Sequence, residues 1–343
     1  MNRAAAYFAA GAMCVWALGG MAAEPSAPGP DDYLREIGRR FAPVKPTVEM
    51  VYAVHYRFLA VSLKQVARAT IEATEGEWRA PGATGGVPSC VISVRLQSPG
   101  AAAGLPRSGR LFINDHIVSV VTMPALETLY YLKVTDELLH PLLGARKDVR
   151  NFHVYDMSGG ELAFHAVNLA DGTTLTNLTG ATDMAAQGRE VSRVLTLLSD
   201  VYHRRIGAIT PDSDFRLFVN CDGRAVPFAA RSARDRIEAF GGDYDALRVD
   251  VMPAREAPRG VRARDFTVWA ASFLDVAGRS EDAALRRIAA DTPAWGMTPL
   301  LADYGMSLGS IRCALVSVAA RAEDAKLFDL AQRAAIPPAP CSL

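Results

Sequence analysis

Lysine is almost missing from this chain. Five lysines (45, 64, 133, 147 and 326) stand among 37 basic residues, leaving 32 arginines, and 37 acidic residues bring the formal charge to zero. The arginines are scattered and form no basic stripe, so no overall field favours nucleic acid or an anionic lipid surface. Cysteine is scarce too, at five residues. None forms a C-x-x-C pair and no Cys/His cluster has zinc spacing, which excludes a structural zinc site. Phosphate-binding loops of the Walker type, G-x-G-x-x-G after a strand, and H-E-x-x-H are all missing. Nucleotide and zinc-protease chemistry therefore lack support, and no cofactor is expected. What is present is a chain of 343 residues, 50% hydrophobic and 22% charged, which excludes disorder or collagen as a description of the whole.

The N-terminus carries an address. Arg3 precedes an apolar run from Ala4 to Leu18, followed by Gly19, Gly20, Met21, Ala22, Ala23 and Glu24-Pro25. A positive start, a short apolar middle and small residues at the cut make residues 1–22 a secretory signal, with cleavage after Ala22 or Ala23. The run is too short to span a bilayer, and no later segment is long and apolar enough to do so. Met13 before Cys14 fits poorly with lipidation. The expectation is an exported protein of the periplasm or cell envelope.

Residues 23–44 read as a spacer followed by a short helix, with Asp31-Asp32 at its start and Arg39-Arg40 at its end. From Val48 the period becomes two. Val48, Met50, Tyr52, Val54, Tyr56 and Phe58 alternate, and further strand patterns cover 61–78, 87–96, 110–121 and 128–134. In segment 151–166, a three-residue loop at Ser158-Gly159-Gly160 sets Val154 against Phe164 and Phe152 against Ala166. That register also sets His153 opposite His165. The pair could supply two metal ligands, but the sequence fixes no third, and a polar surface ladder is preferred over a metal site.

Residues 188–205 have helical spacing and read as a connector between two β-rich halves, 45–180 and 208–321. Asp222-Gly223 is a hairpin turn that pairs Leu217 with Phe228 and Val219 with Val226. Strand patterns follow at 236–240, 243–253 and 264–274, then a helix from Ser280 to Ala290. Ser310–Val318 alternates Ile311, Cys313, Leu315 and Ser317 on one face. Residues 322–343 read as a C-terminal helix and a Pro-rich tail. Strands joined mostly by hairpins predict a mainly β fold, an antiparallel curved sheet or barrel-like domain spanning 45–321 with a few peripheral helices.

Removal of the signal would leave Cys90, Cys221, Cys313 and Cys341, which allow three full disulfide connectivities. If closure makes the first and last sheet segments neighbours, Cys90 and Cys313 are the expected pair. Catalytic patterns are weak. Gly305-Met-Ser307-Leu-Gly309 matches G-x-S-x-G, but a strand rather than a helix follows it, and the last histidine is His203, upstream of the serine. A Ser307 triad with His116 or His203 would need another chain order. Asp115 and His116 are adjacent in sequence, point to opposite sides of a strand, and read as a turn or surface pair. Asp243 and Asp245 share a strand face beside Gly241-Gly242 and, with Asp265, are the carboxylates available for acid-base work. No catalytic or metal-binding residue is assigned.

Several segments resemble Domain of Unknown Function 3108, a family of exported bacterial proteins. They are Tyr52-Ala-Val-His-Tyr56, Leu129-Tyr-Tyr-Leu-Lys133, Asn220-Cys-Asp-Gly-Arg-Ala-Val-Pro227, Gly242-Asp-Tyr-Asp-Ala-Leu247 and Gly309-Ser-Ile-Arg-Cys-Ala-Leu315. The resemblance covers roughly residues 45–320 and implies an envelope-associated β-rich domain without assigned activity, so no catalytic residue is carried over. The helical connector at 188–205 departs from a plain β domain. The functional expectation is a non-enzymatic envelope protein whose curved sheet holds a lipid or other apolar ligand or contacts an envelope protein. The alternative is an exported hydrolase acting on polysaccharide or peptidoglycan through carboxylates.

Overall fold

The computed structural model describes residues 28–58, 61–104, 111–123, 128–139, 147–156, 163–170, 173–179, 211–221, 224–254, 265–291, 297–306 and 309–321. The expected signal at 1–22, the connector at 188–205 and the tail at 322–343 lie outside them. The chain enters through helix α1 (Pro30–Arg40) and the short strand β1 (Phe41–Pro43), then runs through β2 (Thr47–Phe58), β3 (Val61–Trp78), β4 (Val87–Gln97), a single helical turn α2 (Pro99–Ala102), β5 (Leu111–Thr122), β6 (Thr128–Leu139), β7 (Lys147–Asp156), β8 (Ala163–Asn168) and β9 (Thr174–Thr179). It resumes with β10 (Asp214–Cys221), β11 (Arg224–Ala239), β12 (Gly242–Pro253), β13 (Phe266–Ser272), helices α3 (Phe273–Gly278) and α4 (Ala283–Asp291), β14 (Met297–Met306) and β15 (Gly309–Arg321).

The fifteen strands of the described residues belong to one antiparallel sheet, open and curved, in the order β10 to β15 followed by β2 to β9, with β1 added against β3. The two expected halves are thus joined edge to edge. β15 pairs with β2 from Gly309↔Phe58 to Arg321↔Thr47, so the last strand closes on the first long one. The long strands form because their apolar residues recur every second position, and one face of the sheet collects them. On that core face Met50, Tyr52, Ile71, Ile92, Leu300 and Leu315 pack against Phe273 and Val276 of α3 and Leu285 of α4, all buried. A neighbouring cluster continues it through Phe228, Val249, Val251 and Val268. Asp282 holds α4 in place by accepting the N–H groups of Ala284 (2.9 Å) and Leu285 (3.2 Å) at its start and that of Ala320 (2.8 Å) in β15.

The opposite face carries charge around β12–β15, where Arg312 grips Asp303 with two hydrogen bonds (2.8 and 2.6 Å) and Arg248 meets Asp250 at 3.0 Å. Further along the sheet α1 covers it. Leu34 and Ile37 bury against Val118, Val120, Leu132 and Phe152, giving a second core.

Sequence alternation misplaces residues where the strands are irregular. β15 bulges at Val316, which is 52% exposed; Leu315 pairs with Tyr52 and Ser317 with Val51. The bulge turns Ser317 off the Ile311–Leu315 face and brings Val318 into the core instead. β12 switches its buried set without a bulge. Leu247, Val249 and Val251 are buried where β13 pairs with it, whereas Tyr244 and Ala246 are buried in the β11–β12 ribbon beyond. The 264–274 pattern divides, strand to Ser272 and helix from Phe273. The β10–β11 hairpin keeps the expected register, with Leu217↔Phe228 and Val219↔Val226. The β7–β8 hairpin does not. Val154 pairs with His165 and His153 with Ala166, a slip of one residue from the expected register, so the histidine pair is not formed.

Candidate functional site

Two strongly displaced titratable groups are neighbours on β5, Asp115 and His116. In β5, Asp115, Ile117, Ser119 and Val121 share the core face, and β6 sets Tyr131 opposite Ser119 and Lys133 opposite Ile117. The ladder between Ile113↔Glu137 and His116↔Val134 is interrupted, and the Asp115 carboxylate fills the gap: Oδ1 accepts the N–H of Asp136 at 3.0 Å. Asp115 is buried and hydrogen-bonded to Glu137. Burial, then the charge of Glu137, pushes its carboxyl up to about 8, while the Asp136 N–H and the Lys133 ammonium oppose the rise. At neutral pH the pair retains a proton, so one carboxyl can donate a hydrogen bond on the core face.

His116 leaves the other face. Its Nε2 is hydrogen-bonded to Ser93 Oγ at 3.0 Å, and Arg95 stands opposite it in register. Burial, aided by the positive charge of Arg95, lowers its imidazole to about 3. A ring that resists protonation this strongly is a poor general base, and Ser93 is itself buried, so this contact orders the strands rather than activating a nucleophile. The turn or surface placement expected for Asp115-His116 is therefore corrected: both sit mid-strand. A carboxylate at a core-facing position of an apolar strand was the available signal, and Glu137 on the facing strand completes it.

The other carboxylates are dispersed. Asp243 and Asp245 are exposed at the β11–β12 hairpin end, where Asp243 meets Arg236 at 3.4 Å. Asp265 is exposed just before Phe266, whose partner is Val251. Asp245 lies six residues along β12 from Val251, about 20 Å at strand spacing, well outside the roughly 5–9.5 Å of paired glycosidase carboxylates. Ser307 and His203 lie outside the described residues; Gly305↔Ser310 and Met306↔Gly309 show that the G-x-S-x-G segment joins two antiparallel strands.

Cys90 is buried and Cys313 partly so. They lie on β4 and β15, three strands apart, with β2 and β3 between them. Cys313 pairs with Val54 and Val54 with Ala67, whereas Cys90 pairs with Glu75, eight residues further along β3. That is about 25 Å along the strands, far beyond disulfide reach. The expected bond fails because closure runs through β15–β2 and leaves β4 two strands further on. Among the described residues no group of three or more His, Cys, Asp or Glu side chains could hold a metal ion, and no helix is long and apolar enough to cross a membrane.

No protein-family model matches the chain, and no curated protein matches it. Among solved structures it is similar to the crystal structure of a β-barrel-like protein of domain of unknown function DUF1849 from Brucella abortus, at 9% identity and a TM-score of 0.36, over 82% of this chain and 100% of that one.

Proposed function

We propose that the chain is an exported, non-enzymatic protein of the cell envelope that holds a lipid or other apolar ligand, or an envelope partner, on the core face of its curved sheet. One observation carries the reading. The core face runs as apolar packing from β11 through β15 and β2 to β5 and then meets a polar row, Asp115, Lys133 and Glu137, with a retained proton. Apolar surface with a few placed polar groups is the usual composition of a small-molecule site. The signal-like residues 1–22 and the resemblance to Domain of Unknown Function 3108 support the envelope part of the reading. The wide separation of Asp265 from Asp243 and Asp245 weighs against carboxylate hydrolysis.

Titration of the processed protein with a fluorescent long-chain alcohol tests the ligand reading. Saturable binding, displaced by unlabelled alcohol, is expected; a linear, non-saturating response contradicts it.

A further inference from the structure

The corner where α1 meets β3, β6 and β7 contains two buried N–H donors with no acceptor. Arg40, in the last turn of α1, is 7% exposed, and its guanidinium carbon lies 4.2 Å from the centroid of the Trp78 ring. Its Nε donates to the carbonyl of Arg79 at 3.1 Å and its Nη1 stands 3.7 Å from Asp156 Oδ2, but Nη2 meets no partner. Trp78, 1% exposed at the end of β3, has an indole Nε1–H equally without one. The Tyr130 ring lies 5.9 Å from that of Trp78. Folded proteins rarely leave buried donors unpaired, because each forfeits its bond to water, and two on stacked side chains point to a place for an acceptor.

Charge selects the acceptor. Asp156 already faces Arg40, and α1 brings Asp32 and Glu36 close enough to act on Tyr33 and Tyr130. A second anion would meet those carboxylates. A neutral hydroxyl oxygen would not: it can accept from Arg40 Nη2 and Trp78 Nε1 and donate its own proton to Asp156, whose side chain is 36% exposed and opens the corner to solvent. We infer that this corner is a binding site for a hydroxyl oxygen, supplied by an ordered water or by a sugar or polyol entering past Asp156. The inference is independent of the core-face reading.

Nitrogen-15 NMR of the full chain tests it through the indole N–H of Trp78. Of the four tryptophan signals, the one lost in Trp78→Phe identifies it; if that variant does not fold, the one moved by Arg40→Lys does. A saturable shift on titration with glucose or glycerol, reduced in Arg40→Lys, supports the site with a polyol as its occupant. Insensitivity to both, with a cross-peak between the indole proton and water, supports the site with water as its occupant. No response to either polyol and no water cross-peak overturns the inference.

Discussion

Asp115 and His116 are neighbours in β5 whose side chains leave opposite faces of the sheet, and their proton affinities are displaced in opposite directions. Asp115 faces Glu137 and Lys133 of β6; His116 faces Ser93 and Arg95 of β4. The raised folded pKa of Asp115, about 8, means the folded state keeps a proton that the unfolded chain loses near 4, so its contribution falls as pH rises from about 4 to about 8. The lowered folded pKa of His116, about 3, means the unfolded chain binds a proton first, so its contribution falls as pH drops from about 6.5 to about 3. The two slopes cancel between roughly pH 4 and 6.5 and leave a decline from about 6.5 to 8. Asp115→Asn keeps an acceptor for Asp136 N–H and removes the charge. Urea unfolding across this range should show the decline in the wild type and its loss in the variant; a decline unchanged by the substitution contradicts the buried carboxyl pair.

Tyr52 spans the core to donate its hydroxyl proton to the carbonyl of Pro299 at 3.0 Å, 247 residues away. Tyr52→Phe leaves that buried acceptor short of a donor, at a cost of about 1–2 kcal/mol. Chemical denaturation should show the loss, and an unchanged midpoint would mean that the Tyr52–Pro299 hydrogen bond is not formed.

The seam between the two halves is secured by Arg321 of β15, which pairs with Glu49 of β2 and, at 2.6 Å, with Glu72 of β3. Glu72 is buried. Arg321→Met removes a cation from beside this buried carboxylate and is expected to cost about 1–3 kcal/mol, with part of the loss restored by adding Glu72→Gln. A double variant no more stable than the single one would show that the pair does not couple the strands.

Gly76 is where β1 crowds β3. A Cβ there would lie 2.2 Å from the Ala42 carbonyl oxygen and 2.6 Å from the Phe41 ring. Gly76→Ala should destabilise by about 1–3 kcal/mol through this overlap, whereas Gly82→Ala, with open space at its Cβ but a positive φ of 76°, should cost less. Equal thermal shifts for both would contradict the close approach.

Cys313 is partly buried and its thiol is pushed up to about 12, by burial first and then by the charge of Asp303. Peptide mapping without reductant should recover Cys90 and Cys313 unlinked to each other, and alkylation of the native protein at Cys313 should be much slower than after unfolding. A Cys90–Cys313 peptide would require a different strand order.

The strand pattern was legible because most strands alternate, and the β10–β11 register is the one expected from Asp222-Gly223. Where local geometry intervenes, sequence reasoning loses the face. A single bulged residue moves Val318 into the core, and a register slip of one residue separates His153 from His165. Strand order was the larger gap. The β15–β2 seam is a contact between chain ends that no local pattern encodes, so the thiol pairing inferred from closure placed Cys90 in the wrong row. Asp115 read as a surface residue because its partner, Glu137, lies on another strand and becomes visible only through the register. The corner at Arg40 carries no motif at all; it emerges from burial.

The central proposal is that the core face holds an apolar ligand or an envelope partner. Native mass spectrometry of the chain purified from its native cells tests this most directly, and also shows whether it is cut after Ala22 or Ala23. Recovery with a bound lipid or a specific envelope protein is the predicted result; repeated recovery of the empty monomer would contradict it.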